Sequence, residues 1–164
     1  LEIKQGSFYF IKDIFFEKIA DPNLKAEHET TKRPHYMALR DENTNLYWLI
    51  PISSKVEKYE RIINNKKKLN KPTDGIKIIR IFNDKRALLF QDMFPILEKF
   101  IQEPYIKGNQ IVSVESQKLI LELNKNAKNI INKIHRGVKF TPTQPNVIKI
   151  EKIMLSELEK LHFS

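Results

Sequence analysis

Five consecutive apolar residues, Leu46, Tyr47, Trp48, Leu49 and Ile50, run without a polar break into Pro51. A strand with one wet face alternates, whereas one that is apolar at every position is covered on both faces. Residues 46–53 therefore read as a doubly buried strand, and Pro51, which has no N–H to give a ladder, marks its end or an edge. The chain then turns polar through Ser53, Ser54 and Lys55. Ser54-Lys55-Val56-Glu57 fits a capping box, in which the hydroxyl and the carboxylate satisfy each other's backbone amides. A helix is expected from there to about residue 65, so a buried strand feeds directly into the N-terminus of a basic helix.

Around this junction the pattern predicts a strand at 7–11 and a short helix at 13–19 capped by Asp13. A long polar loop at 21–34, ending in Lys32-Arg33-Pro34, reads as functional surface. Residues 35–40 and 46–53, with a turn at 41–45, form a hairpin. After a polar connection at 66–75, strands at 76–82 and 87–91 flank a turn at 83–86. A short helix is expected at 95–102. A long one starts from Ser113 or Ser116 and runs to about 134, with Ile120, Leu123, Ala127, Ile130 and Ile134 on one stripe. The linker 141–145 and a last amphipathic helix at 148–161 complete the chain. No internal repeat is visible. This order suggests one α+β domain, a small curled antiparallel sheet with helices packed around it.

Charge narrows the partners. Residues 1–54 are near neutral, but Lys55, Lys58, Arg61, Lys66, Lys67, Lys68, Lys71, Lys77 and Arg80 face only Glu57, Glu60 and Asp74 in the next stretch. Lys118, Lys125, Lys128, Lys133, Arg136 and Lys139 then face Glu122 alone. With a formal net charge of +9, two basic stretches point to a polyanion such as RNA. A solvated lysine-rich surface explains the same composition. The absence of cysteine removes disulfides, thiol catalysis and thiolate metal sites, and fits a reducing cytoplasm. The opening residues do not read as a signal peptide, and no apolar run reaches membrane-spanning length.

Few chemistries remain. His28, His35, His135 and His162 lack ligand spacing, so no metal is expected, and Gly6, Gly75, Gly108 and Gly137 are too scattered for a phosphate loop. RNA carries its own nucleophile, the 2′-hydroxyl, so a protein can cut it with hydrogen bonds, positive charge and proton transfer alone. Ser53 and Ser54 at a helix N-terminus, with Lys55 beside them, offer the first two. The Lys32-Arg33-Pro34-His35-Tyr36 corner supplies further cations and a proton carrier. Each residue also has a structural explanation: Ser54 as a helix cap, Ser53 as a strand-end hydroxyl, His35 as a packed strand residue, Lys66-Lys67-Lys68 as a solvated run. Tyr9, Tyr36, Tyr47 and Trp48 would stack on bases if exposed, yet strand alternation puts most of them in the core.

The stretch 46–55 resembles the central motif of the ToxN/AbiQ/CptN family, endoribonuclease toxins of type III toxin–antitoxin systems, in which a strand ends in Pro-apolar-Ser/Thr-Ser with a lysine close behind. Residues 87–96, Ala-Leu-Leu-Phe-Gln-Asp-Met-Phe-Pro-Ile, are similar to the family's apolar strand ending in Met-apolar-Pro-apolar. Phe8-Tyr9-Phe10-Ile11 and the Arg33–Tyr36 corner also match, so the resemblance spans about 6–135 and lies nearest the CptN branch. It implies an SH3-like antiparallel barrel with added helices, similar to MazF and Kid. It implies metal-independent cleavage of target mRNA to a 2′,3′-cyclic phosphate without a cofactor. It also implies inhibition by a small, pseudoknot-like antitoxin RNA in a ring-like assembly. By position Ser53 falls on the family's Ser/Thr, Ser54 on its Ser, and Lys55 or Lys58 on its lysine. A further basic residue maps to Lys32, Arg33 or His35. RNA contacts are expected at Tyr9, Tyr36, Lys58, Lys66, Lys67, Lys68, Lys118, Lys125, Lys128 and Arg136. A MazF-like toxin held by a protein antitoxin and a non-catalytic nucleic-acid-binding module stand as alternatives.

Overall fold

The apolar run becomes the most enclosed strand of the molecule. In the computed structural model, which describes residues 2–24, 33–81 and 83–163, β3 (Tyr47–Ser53) carries three neighbours. One edge pairs with β2 (His35–Arg40), whose Met37 faces Leu49. The other edge is shared. Its first half takes β6 (Phe94–Ile96) through Trp48 and Pro95, and its end takes β5 (Asp84–Leu88), with Ser53 opposite Ala87. Pro51 falls where the partner changes, a position at which a missing N–H disrupts no ladder. Its carbonyl still accepts from Leu89 N at 2.9 Å.

Beyond these, β2 pairs with β1 (Phe8–Ile11), β1 with β7 (Ile101–Pro104), and β5 with β4 (Lys77–Ile81), all antiparallel. Seven strands thus form one sheet in the order β4-β5-β3-β2-β1-β7 with β6 beside it, and β8 (Ile106–Lys107) and β9 (Gln110–Ile111) form a separate hairpin. The two-residue period sends neighbours to opposite faces. Phe8, Tyr36, Trp48 and Ile50 meet α3 (Gln117–His135), whose buried stripe is the expected Ile120, Leu123, Ala127, Ile130 and Ile134. Tyr9, Met37 and Leu49 meet Phe15 and Phe16 of α1 (Asp13–Ile19) and Ile150 and Met154 of α4 (Val147–Phe163). The fourth helix, α2 (Val56–Lys68), is peripheral and rests Tyr59, Ile62 and Ile63 on Ile76, Ala87 and Leu89. No described helix is long and apolar enough to cross a membrane.

Several expectations change. The strand path is open among the described residues, with no pairing of β7 to β4 that would close a barrel. Residues 95–102 are not a helix: Pro95 lacks the helical N–H and forces Phe94 to be extended, and the free edge of β3 captures both in β6. A 3-10 turn at Glu98–Phe100 leads into β7. The second hairpin is tighter than its composition suggested, since Ile81 already pairs with Asp84, and β5 begins three residues early. Asp13 lies in the first turn of α1 rather than capping it; Lys12 holds the cap position without a side-chain bond. Ser116 caps α3 as expected, its Oγ accepting from Leu119 N at 3.2 Å.

Among the described residues one buried carboxylate gathers three exposed lysines. Glu157 of α4 receives Lys18 of α1 at 2.6 Å and Lys99 at 2.9 Å, with Lys160 at 3.4 Å. These bonds hold its carboxyl down to about 2. Replacing it with Gln should cost on the order of 1–3 kcal/mol, measured by urea unfolding at pH 7, because three ammonium groups lose a charged acceptor. The folded pKa lies below the ordinary 4.5, so this contribution is complete above 4.5 and is lost as pH falls towards 2.

Candidate active site

Three consecutive residues after Ile52 change direction without a conventional cap. Ser53, only 9% exposed, ends β3 and accepts a hydrogen bond on Oγ from Lys55 N at 3.1 Å. Val56 N donates to the Ser54 carbonyl at 2.9 Å, and α2 begins at Val56 with Lys55 in the cap position and no side chain capping it. The expected capping box is therefore absent, because the tight turn gives the preceding serine, not Ser54, the bond to the chain ahead. Two consequences follow. Ser53 Oγ is an acceptor in that bond, so its proton remains available to a ligand oxygen. Ser54 and Lys55 are exposed beside helix amides that carry the positive end of the dipole.

These residues wall a pocket of about 250 Å³. Ser53, Ser54 and Lys55 form one side, and Arg33 and Pro34 approach from the segment before β2. Asp84 and Arg86 come from β5, and Tyr105 and Lys107 from the end of β7 and β8. Phe8, Ile52, Ile81 and Val112 complete the lining with apolar surface. Four cations, Arg33, Lys55, Arg86 and Lys107, thus surround two serine hydroxyls and one carboxylate. Such a lining can bind a phosphate, donate hydrogen bonds to its oxygens and offset a developing negative charge.

The remaining expected residues distribute elsewhere. His35 is buried and does not line the pocket. Its Nδ1 sits 3.1 Å from the Arg33 carbonyl, which can only accept, so Nδ1 carries the proton and the ring holds the Arg33 segment in place. Burial, chiefly, lowers its pKa to about 4. A neutral, enclosed imidazole is a positioning group, not the expected proton carrier. The unfolded chain protonates this histidine near 6.5 and the folded one does not until about 4, so stability should fall as pH drops between those values. Equilibrium unfolding at pH 7 and pH 5 measures the slope, and His35→Gln should flatten it.

Tyr9 and Tyr36 are corrected outright. They are 2% and 0% exposed, Tyr9 accepting on its hydroxyl from Lys4 N and Tyr36 packed edge-on against Phe8, so neither offers a ring to a base. Lys58 lies over the Tyr59 ring on α2, and Lys66, Lys67 and Lys68 form the last turn of that helix, favourably placed against its dipole. Lys118, Lys125 and Lys128 are exposed on α3 and Arg136 just past its end, with Lys128 lining a separate, larger hollow beside Arg40 and Trp48. Lys32 lies outside the described residues, as do His28 and most of the expected 21–34 loop.

Asp84, Arg86, Tyr105 and Lys107 were not anticipated. Asp84 and Arg86 fall in the expected 83–86 turn, yet with Leu88 they alternate as one strand face. Nothing local in Tyr105 or Lys107 announces a site; the fold brings them in through β1, whose Phe8 carbonyl accepts from Tyr105 N at 2.8 Å.

Comparison with known proteins finds a likeness among solved structures. No protein-family model and no curated protein matches the sequence. A solved structure of AbiQ, described as a lactococcal anti-phage endoribonuclease belonging to the type III toxin–antitoxin system, superposes with a TM-score of 0.69 at 10% identity. The alignment covers 98% of this chain and all of that one. The chain therefore has the AbiQ-like α+β fold from end to end.

Proposed function

We propose that this protein is a type III toxin: a metal-independent endoribonuclease of the ToxN/AbiQ/CptN kind, restrained by a small folded antitoxin RNA. The observation that carries the reading is the pocket at the end of β3, where four cations and two serine hydroxyls meet around one carboxylate. Full-length likeness to AbiQ supports it, as does the order of motifs along 6–135. The open, curled sheet is read as a variant of the SH3-like barrel of MazF and Kid.

In the proposed reaction the 2′-oxygen attacks the adjacent phosphorus, losing its proton, and the 5′-oxygen leaves, gaining one. The products are a 2′,3′-cyclic phosphate and a 5′-hydroxyl. The Ser53 hydroxyl donates to a non-bridging oxygen of the phosphorane, and Lys55 and Arg33 offset its second negative charge. Ser54 holds the same phosphate. His35 acts through Arg33 by fixing its backbone. The exposed lysines of α2 and α3 contribute a sequence-independent attraction to RNA.

The partner is testable by purification. Expressed together with the DNA upstream of its coding sequence, the protein should purify as one polypeptide with a high 260/280 nm absorbance ratio, reflecting bound RNA. A normal ratio with a second polypeptide would instead identify a protein antitoxin.

A further inference from the structure

Asp84 and Arg86 are alternate residues of β5 and share a face, about 7 Å apart along the strand. Arg86 adjoins Ala87, the partner of Ser53, and therefore stands beside the Ser53–Ser54 end of β3. From the other side, Lys107 reaches the same pocket out of the β8–β9 hairpin, while Ile106 before it turns outward. Among the described residues the two hairpins, β4–β5 and β8–β9, share no strand pairing. Asp84 lies between their cations, its Oδ2 3.7 Å from Arg86 Nη2 and 3.6 Å from Lys107 Nζ. Both distances exceed hydrogen-bond length, and the Asp84 and Lys107 side chains are at least half exposed, so these attractions are weak and readily exchanged. Arg86 is nevertheless oriented, because Nη1 donates to the Lys85 carbonyl at 2.7 Å.

We infer that Arg86 and Lys107 form a second phosphate subsite, for a phosphodiester adjacent to the one cleaved, and that Asp84 is the internal anion an RNA phosphate displaces there. This rests on the endoribonuclease reading and extends it. A phosphate oxygen pair suits the planar guanidinium fork better than a single distant carboxylate oxygen does. Tyr105, which lines the pocket on the same side as Lys107, gives the intervening nucleotide an aromatic surface. The site therefore recognises a stretch of RNA backbone carrying at least two phosphates, and a dinucleoside monophosphate fills only half of it.

The test uses a mixed-sequence 2′-O-methyl hexanucleotide, which lacks the nucleophile, with binding followed from 50 to 200 mM salt. Arg86→Ala and Lys107→Ala should each weaken binding and lower the slope of log affinity against log salt by about 0.7, the value for one contact to a single strand. Asp84→Asn should tighten binding several-fold, since no carboxylate competes. All three side chains are a third or more exposed, and the thermal transition of each variant serves as the folding control. Weaker binding by Asp84→Asn, or an unchanged slope in Arg86→Ala, would overturn the subsite while leaving the nuclease reading intact. A wild-type protein that neither binds the hexamer nor cuts natural RNA would overturn both.

Discussion

Ser53→Ala is expected to lower RNA cleavage by about 10²–10³-fold while leaving RNA binding within a few-fold of wild type. The side chain lost is a single hydroxyl, and its role in the proposed reaction belongs to the phosphorane rather than to ground-state attraction. Arg33, Lys55, Arg86 and Lys107 all remain in the pocket and continue to hold the substrate's phosphates. Folding should survive as well. Among the described residues Ser53 Oγ accepts from the Lys55 amide alone, and Lys55 is exposed, so that amide finds water in its absence. Ser53→Thr keeps the hydroxyl at a strand end that tolerates a β-branch, and should retain much of the activity. Gel assays of cleavage and filter binding of the same RNA separate the two effects. Loss of binding in parallel with loss of cleavage would mean that Ser53 shapes the pocket without acting in the reaction.

Trp48→Ala should produce the largest loss of stability, about 3–5 kcal/mol, a large share of the 5–15 kcal/mol typical of a domain. Trp48 is fully buried in β3, flanked by Leu39 and Pro95 on neighbouring strands and set edge-on to His135 of α3. Its removal empties the place where the sheet meets α3. Trp48→Phe should cost far less, on the order of 1–2 kcal/mol, because the indole N–H has no hydrogen-bond partner among the described residues and none is lost. Thermal unfolding followed by circular dichroism distinguishes the two variants. Equal losses would mean that the indole nitrogen is satisfied in solution, by water or by rearrangement. Because Trp48 and Ser53 lie on one strand, a destabilised strand should also reduce cleavage, so kinetics on this variant need temperatures well below its transition.

The elements most legible in the sequence are those whose own pattern decides them. The α3 stripe is buried residue for residue, and the apolar run at 46–50 yields a strand covered on both faces. Less legible are segments decided by a distant partner. Pro95 and Ile96 look locally compatible with a helix start, and the unpaired edge of Tyr47–Leu49 makes them, with the extended Phe94, a strand. Ser54-Lys55-Val56-Glu57 satisfies the capping pattern, yet the bond goes to Ser53 because the chain turns sharply before the helix begins.

The site divides the same way. The Ser53–Lys55 junction and Arg33 meet in one pocket, as their order along the chain suggested. His35 and Tyr36 follow Arg33 in sequence and Tyr9 pairs with His35, but all three point into the core, since β1 and β2 are covered on both faces and leave no wet side for an aromatic or imidazole ring. Arg86 and Lys107 carry no local signal. They join the pocket because β5 pairs with the end of β3 and because the Tyr105 amide bonds to β1, contacts between residues far apart in the chain.

In the proposed reaction the chain cuts RNA by itself, using the substrate's own 2′-hydroxyl at the Ser53 pocket. Its most direct test is end-group analysis of RNA treated with the purified protein in EDTA. The expected result is fragments ending in a 2′,3′-cyclic phosphate and beginning with a 5′-hydroxyl, formed by wild type and not by Ser53→Ala. Cleavage that stops in EDTA and returns with Mg²⁺, or that leaves 5′-phosphates, would contradict it.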